Sequence, residues 1–211
     1  MKRFLFSIIL CPWLAGCSVT TGEVPADLRK LGGVTMNVSA KTVTMRGWIN
    51  QEEGLLEYLI CGPSGKTHES LLVSEEPPEN LQAAILLLGV RPGVAPQDQG
   101  MGRPHGSQFE IWIQWDEEGV QKSVRAERMI RNVRTRSVMP EVTWTFTGSE
   151  VVNGTFKANV HGSFVVTYWD PWAIFNINHP IGTDDEALMV NSELVPPEGT
   201  NVTIEFRLKK S

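Results

Sequence analysis

The chain is poor in the residues that staple small domains and hold metal ions. Of its 211 residues only three are cysteine (Cys11, Cys17 and Cys61) and four are histidine (His68, His105, His161 and His179). No pair among Cys61 and the histidines has metal-ligand spacing, so neither a metal nor a cofactor is expected from the sequence. Basic residues are outnumbered, 19 against 24 acidic, which argues against a nucleic-acid partner and against electrostatic docking on anionic lipid. The N-terminal apolar stretch, Phe4 to Leu14, is broken by Ser7 and Pro12 and falls well short of the roughly 20 residues that span a bilayer. There is no internal repeat and no block of like charge.

What the N-terminus does contain is an address. Lys2 and Arg3 precede the apolar stretch, and Leu14-Ala15-Gly16-Cys17 closes it with small residues before a cysteine. The segment resembles a bacterial lipoprotein signal. That resemblance implies that residues 1–16 are removed and that the Cys17 thiol carries diacylglycerol as the first mature residue. Two or three acyl chains exceed the single chain that anchors only marginally. Ser18, rather than an aspartate, favours the outer membrane where the source has one. Cleavage would leave 195 residues with 17 basic and 24 acidic side chains, a net of −7, enough for one domain. Cys61 would be the lone thiol, which excludes an internal disulfide even in an oxidising compartment.

Residues 17–32 read as the lipidated end and a polar tether, and 33–211 as a single domain. Val34, Met36 and Val38, then Val43 and Met45, alternate with polar residues as strands do, and Leu55–Cys61 is a mostly apolar strand. Gly62-Pro63-Ser64-Gly65 turns the chain into a short strand, His68–Ser74. The one convincing helix is 78–88: prolines sit in its first turn, Gly89 follows its end, and Leu81, Ala84, Ile85 and Leu88 share a face. Residues 90–107 form a long loop rich in proline and glycine, of the length that is usually functional or mobile. Phe109, Ile111, Ile113 and Trp115 mark the clearest strand, with Trp112 interrupting its polar face. Further strands are expected at Val120–Ala126, at Val142–Phe146, on either side of His161-Gly162 (Thr155–Val160 and Ser163–Trp169) and at Asn201–Lys209, with a short helix at 127–132. About nine strands against one good helix predict a single α+β domain with a largely antiparallel sheet and one main covering helix, 78–88.

The densest group of reactive side chains is Cys61-Gly62-Pro63-Ser64-Gly65-Lys66-Thr67-His68-Glu69-Ser70. Gly62–Thr67 lacks the first glycine of a phosphate loop, and His68-Glu69 lacks the second histidine of a zinc-protease helix, since position 72 is Leu72. Cys61 and His68 could form a thiolate–imidazole pair with Glu69 nearby, the centre of a hydrolase or transferase. The alternative is a buried, inert cysteine and a surface histidine, which the usual burial of free cysteine favours. Aromatic residues offer a second candidate. Of Trp48, Trp112, Trp115, Trp144, Trp169 and Trp172, the two expected to be exposed are Trp112 and Trp172, which with Lys66, His68 and Glu69 could bind a sugar, a peptide or a partner protein. Asp170 is expected to cap the turn Tyr168–Trp172.

Several stretches are similar in order and wording to the YdjY-like family of bacterial proteins: Gly65–Leu72, Leu81–Gly89 with Pro92-Gly93, Trp144–Ser149, Asp170–Phe175 and Val195–Thr200. The similarity covers about residues 34–208. It implies a family domain without an established activity and draws attention to His68 and Glu69. Some members carry ferredoxin-like names, but this chain lacks the four cysteines an iron–sulfur cluster needs. The expectation is therefore an envelope protein, anchored through lipid on Cys17, whose domain binds a small ligand or envelope partner without catalysis. A hydrolase or transferase centred on Cys61, His68 and Glu69, with or without assistance from a metal, is the alternative.

Overall fold

The computed structural model describes residues 27–210; the segment read as a signal and Cys17 lie outside them. The domain opens with β1 (Leu28–Leu31), inside the segment read as tether, which pairs antiparallel with β2 (Val34–Asn37). Then come β3 (Thr42–Ile49), β4 (Tyr58–Cys61) and β5 (Ser70–Val73). Helix α1 (Pro78–Leu87) precedes β6 (Gln108–Glu117), β7 (Val120–Arg125), β8 (Ile130–Asn132) and β9 (Trp144–Phe146). A small hairpin of β10 (Val151–Val152) and β11 (Thr155–Phe156) leads into α2 (Lys157–His161). The chain ends through β12 (Ser163–Val166), β13 (Phe175–Ile177), β14 (Leu188–Val190) and β15 (Asn201–Leu208). The fold is α+β and strand-dominated, as expected, with α1 the one substantial helix.

The main sheet closes on itself. β3 pairs with β15 along Thr42–Trp48 and with β5 at Trp48 and Ile49. From β15 the order continues through β6, β9, β13, β12 and β4 to β5, making a barrel-like ring of eight strands. β1 and β2 extend from β3, and β7 extends from β6. Two ladders are parallel, β4–β5 and β12–β13, and the rest of the ring is antiparallel. Four phenyl rings fill the centre: Phe175 lies 5.2 Å from Phe109, 5.4 Å from Phe146 and 5.2 Å from Phe206. All four are fully buried, at the separations where edge and offset aromatic contacts add to burial.

Helix α1 lays Leu81, Ala84 and Ile85 against β2 and β3. Its Gln82 side chain works as a two-point clamp, with Nε2 donating to the Ser149 carbonyl (2.9 Å) and Oε1 accepting from the Ser149 N–H (2.7 Å). Three expected elements differ. His68 and Glu69 belong to a 3-10 turn, Thr67–Glu69, rather than to the strand that follows. Residues 127–132, expected as a helix, are a 3-10 turn (Ala126–Met129) and then β8, which is drawn out by pairing with β14. The strand expected over Thr155–Val160 is only two residues long; Lys157–His161 coils into α2, which Gly162, at φ 62°, ends in a left-handed cap.

Candidate functional site

The Cys61 cluster does not assemble into a catalytic pair. Cys61 ends β4 and is fully buried with Tyr58, Val73, Val166 and Ala173, and burial pushes its thiol pKa up, against a smaller opposing hydrogen bond from Ser70. A thiol so placed is the reverse of an activated one. The glycine turn then carries the chain outward, so the His68 side chain is 75 % exposed. No hydrogen bond or ion pair joins Cys61 to His68 or Glu69.

Lys66 and its neighbours are instead occupied with one another. Lys66 Nζ is 2.6 Å from Glu57 Oε2 and 3.4 Å from Glu69 Oε2, and His68 Nε2 is 3.8 Å from the same Glu69 oxygen. Burial works against the Lys66 charge. The Glu57 hydrogen bond and charge, with Tyr58 and Glu69 behind them, outweigh it and hold the lysine above its ordinary pKa. These contacts brace the turn against the loop before β4. Among the described residues no three His, Cys, Asp or Glu side chains cluster in a way that could hold a metal ion.

The two suspect tryptophans lie in different settings. Trp112, on β6, is half-buried under the Arg207 guanidinium, 4.5 Å from its ring centroid, and donates from Nε1 to Glu110 (3.3 Å). That indole is tiled into the outer face of the sheet by neighbouring side chains. Trp172 is the one beside open space. Its ring stacks on His161 at 4.6 Å and 12°, and Lys157 Nζ stands 5.6 Å from its centroid. Both partners come from α2, so the one-turn helix that replaced an expected strand is the indole's support.

Trp172 and Pro171 form one wall of a cleft of about 640 Å³. The facing wall is the first half of the long loop, Pro92 to Asp98, and the floor is Thr147-Gly148-Ser149 at the end of β9. The loop is shaped by its own pairing, with Val94 opposite His105 and Asp98 opposite Met101. Gly93 lets the two limbs touch: a Cβ there would stand 1.9 Å from the His105 carbonyl oxygen and 2.6 Å from the Gly106 Cα. Its N–H bonds to the Phe146 carbonyl (3.0 Å), tying the loop to β9.

Beneath the cleft runs a buried polar network. Asp170, as expected of a capping residue, accepts from the Trp172 N–H (2.9 Å); it also accepts from Ser163 Oγ (3.1 Å). Its own N–H donates to Asn176 Oδ1 (2.8 Å), and Asn176 Nδ2 donates to Thr147 Oγ1 (3.0 Å). Tyr58 adjoins Ser163, and burial followed by the Asp170 charge pushes its phenol up to about 12. Satisfied networks of this kind rigidify what they hold. Here they fix the backbone of the indole wall and the threonine of the floor in one unit.

Fold and cleft together define an α+β domain with an aromatic-walled groove. The sequence pattern of the YdjY domain family matches residues 34–207, and the chain belongs to that family. No curated protein and no solved structure matches it. Three of the stretches that carry the resemblance, Pro92-Gly93, Trp144–Ser149 and Asp170–Phe175, meet at this cleft. Sequence reasoning singled out Trp172 and marked the long loop as functional or mobile, but it did not join them to Thr147-Gly148-Ser149, an arrangement that exists only once β9, the loop and the 170–172 turn are brought side by side.

Proposed function

We propose that this YdjY-domain protein is a lipid-anchored envelope protein that binds a ligand in the Trp172 cleft without transforming it. The carrying observation is the cleft itself: an indole braced on His161, proline walls, and a floor held by a buried hydrogen-bond network. A flat aromatic wall beside polar backbone and the Asp98 and Glu150 carboxylates suits an amphipathic ligand such as a saccharide or short peptide. The Lys2–Cys17 segment supports anchoring through Cys17, and Ser18 supports the outer membrane in a Gram-negative source. The buried, unactivated Cys61 speaks against the thiol enzyme.

Two measurements test this reading. Intact mass of the membrane-extracted protein reads the anchor: acyl mass on Cys17 is expected, and its absence, or membrane retention unchanged in Cys17→Ser, would refute anchoring. The cleft is read by the Trp172 indole NMR resonance of the full chain, assigned by its loss in Trp172→Phe. Titration with N-acetylglucosamine oligomers and with short peptides should shift it in at least one series, and a resonance unmoved throughout would count against a ligand cleft.

A further inference from the structure

The net acidity of the chain conceals a basic edge at the point where the N-terminal segment enters the domain. The Asp27 carbonyl accepts from the Val38 N–H (3.0 Å) and its carboxylate from Ser39 (3.0 Å), which places the entering chain beside the turn between β2 and β3. Lys41, in that turn, reaches across to donate to the Leu88 carbonyl at the end of α1 (2.8 Å). The Lys41 carbonyl in turn accepts from the Leu208 N–H (3.1 Å), bringing the C-terminal Lys209-Lys210 to the same edge. The end of α1 adds two large apolar side chains, Leu86 at 43 % and Leu87 at 61 % exposure, with exposed Arg91 just beyond. Arg91, Lys209 and Lys210 form no ion pair with a described residue.

We infer that this edge is the membrane-facing surface of the domain. Lys41, Arg91, Lys209 and Lys210 meet anionic phospholipid headgroups, and Leu86 and Leu87 enter the interfacial layer. The inference rests on the lipid-anchor reading of Cys17. Chain length supports it: ten Cα steps from Cys17 to Asp27 reach at most roughly 36 Å, so the entry edge stays close to the bilayer. Once tethered, each cation meets the surface at high effective concentration, and weak contacts suffice to orient the domain. Net charge does not oppose this, because it is the local arrangement that an anionic surface senses within a Debye length.

The test uses the full lipidated chain in nanodiscs, either phosphatidylcholine alone or with phosphatidylglycerol. Cys17 is acylated and Cys61 buried, so one introduced thiol takes an environment-sensitive fluorophore. Leu87→Cys reports the edge, and Glu53→Cys reports the opposite end of β3. A lipid-borne quencher should quench position 87 about twofold or more over position 53 in the anionic discs. The double reversal Lys209→Glu and Lys210→Glu should return position 87 to the phosphatidylcholine level. Equal quenching at both positions, or quenching indifferent to phosphatidylglycerol and to the reversal, overturns the assignment. So does position 87 becoming shielded only as the chain self-associates, which would make the edge a contact between copies. Intact mass of the same sample separates the two readings: no acyl group at Cys17 overturns the anchor and this inference together, whereas an acylated chain that fails the quenching test overturns the orientation alone.

Discussion

At the scale of single residues, burial sets the chemistry. Cys61 is a thiol held away from water with its pKa pushed up, so alkylation must wait for the domain to open. Iodoacetamide labelling of the native protein, followed by mass, should track global unfolding in urea; labelling complete within minutes in the absence of denaturant would contradict this. A second residue-scale prediction concerns Arg125, which lies 2.5 Å from the fully buried Glu127 and 2.9 Å from Glu110. Burial raises the Glu127 pKa above its ordinary 4.5, outweighing the Arg125 charge, and Oε2 has no hydrogen-bond partner. At pH values between the two, the folded state holds a proton that the unfolded chain has released. The stability Glu127 contributes is fully present below pH 4.5 and is lost as pH rises through its raised folded value. Glu127→Gln keeps an acceptor for Arg125 and for the Val142 N–H but cannot titrate. Urea midpoints across this range should show the wild type losing ground to Glu127→Gln as pH rises; a trend of opposite sign would mean that the ion pair outweighs burial.

At the scale of elements, the long loop is the part most at risk from a small change. Gly93→Ala drives a Cβ into backbone atoms of His105 and Gly106, which cannot rotate aside as a side chain could. The expected cost is about 1–3 kcal/mol, typical of overpacking, read as a lower urea midpoint at unchanged slope. The Val94–His105 pairing should open with it, exposing 94–105 to proteolysis, and a variant as resistant as the wild type would show that the limbs are held some other way. The same loop marks the limit of what was legible. Its length and composition showed that it was a loop; its place as a cleft wall depends on the Phe146 carbonyl that receives the Gly93 N–H, which no local pattern encodes. β15 and β6 were legible because each alternates over many residues between core and surface. β13 and β14, three residues each, were not read from the sequence, whereas β9, equally short, was announced by the alternation of Val142, Trp144 and Phe146. At 155–160, Phe156, Ala158 and Val160 alternate like a strand, yet the segment coils into α2 and leaves Val160 53 % exposed; a single helical turn is too short to announce its own period. Cys61 and His68 are close in sequence and were read together, but a strand end and an outward turn send them to opposite environments.

At the scale of the molecule, the ring is long on one side and thinly joined on the other. β15 is hydrogen-bonded over Asn201–Arg207 to β3 and over Thr203–Leu208 to β6. The β3–β5 junction rests on two residue pairs, Trp48 with Val73 and Ile49 with Leu72, and β6–β9 likewise on two. Backbone protection should follow this unevenness, because a short seam opens by breaking few ladder hydrogen bonds while the three-stranded centre opens only with the core. In native-state hydrogen exchange, the β15 amides of Ile204 and Phe206 should exchange only through global unfolding. The β5 amides at the seam should exchange at lower denaturant through a partial opening that leaves β15 protected. The same topology slows folding, since the β3–β15 pairing joins the two ends of the domain, a contact of large sequence separation. Phe206 stacks on Phe175 inside the ring, so the last strand also completes the phenyl core. Were the seam and β15 to exchange together at every denaturant concentration, the ring would be a single cooperative unit, and the Trp172 cleft, carried by β9 and the segment between β12 and β13, would gain no flexibility of its own from the short junctions.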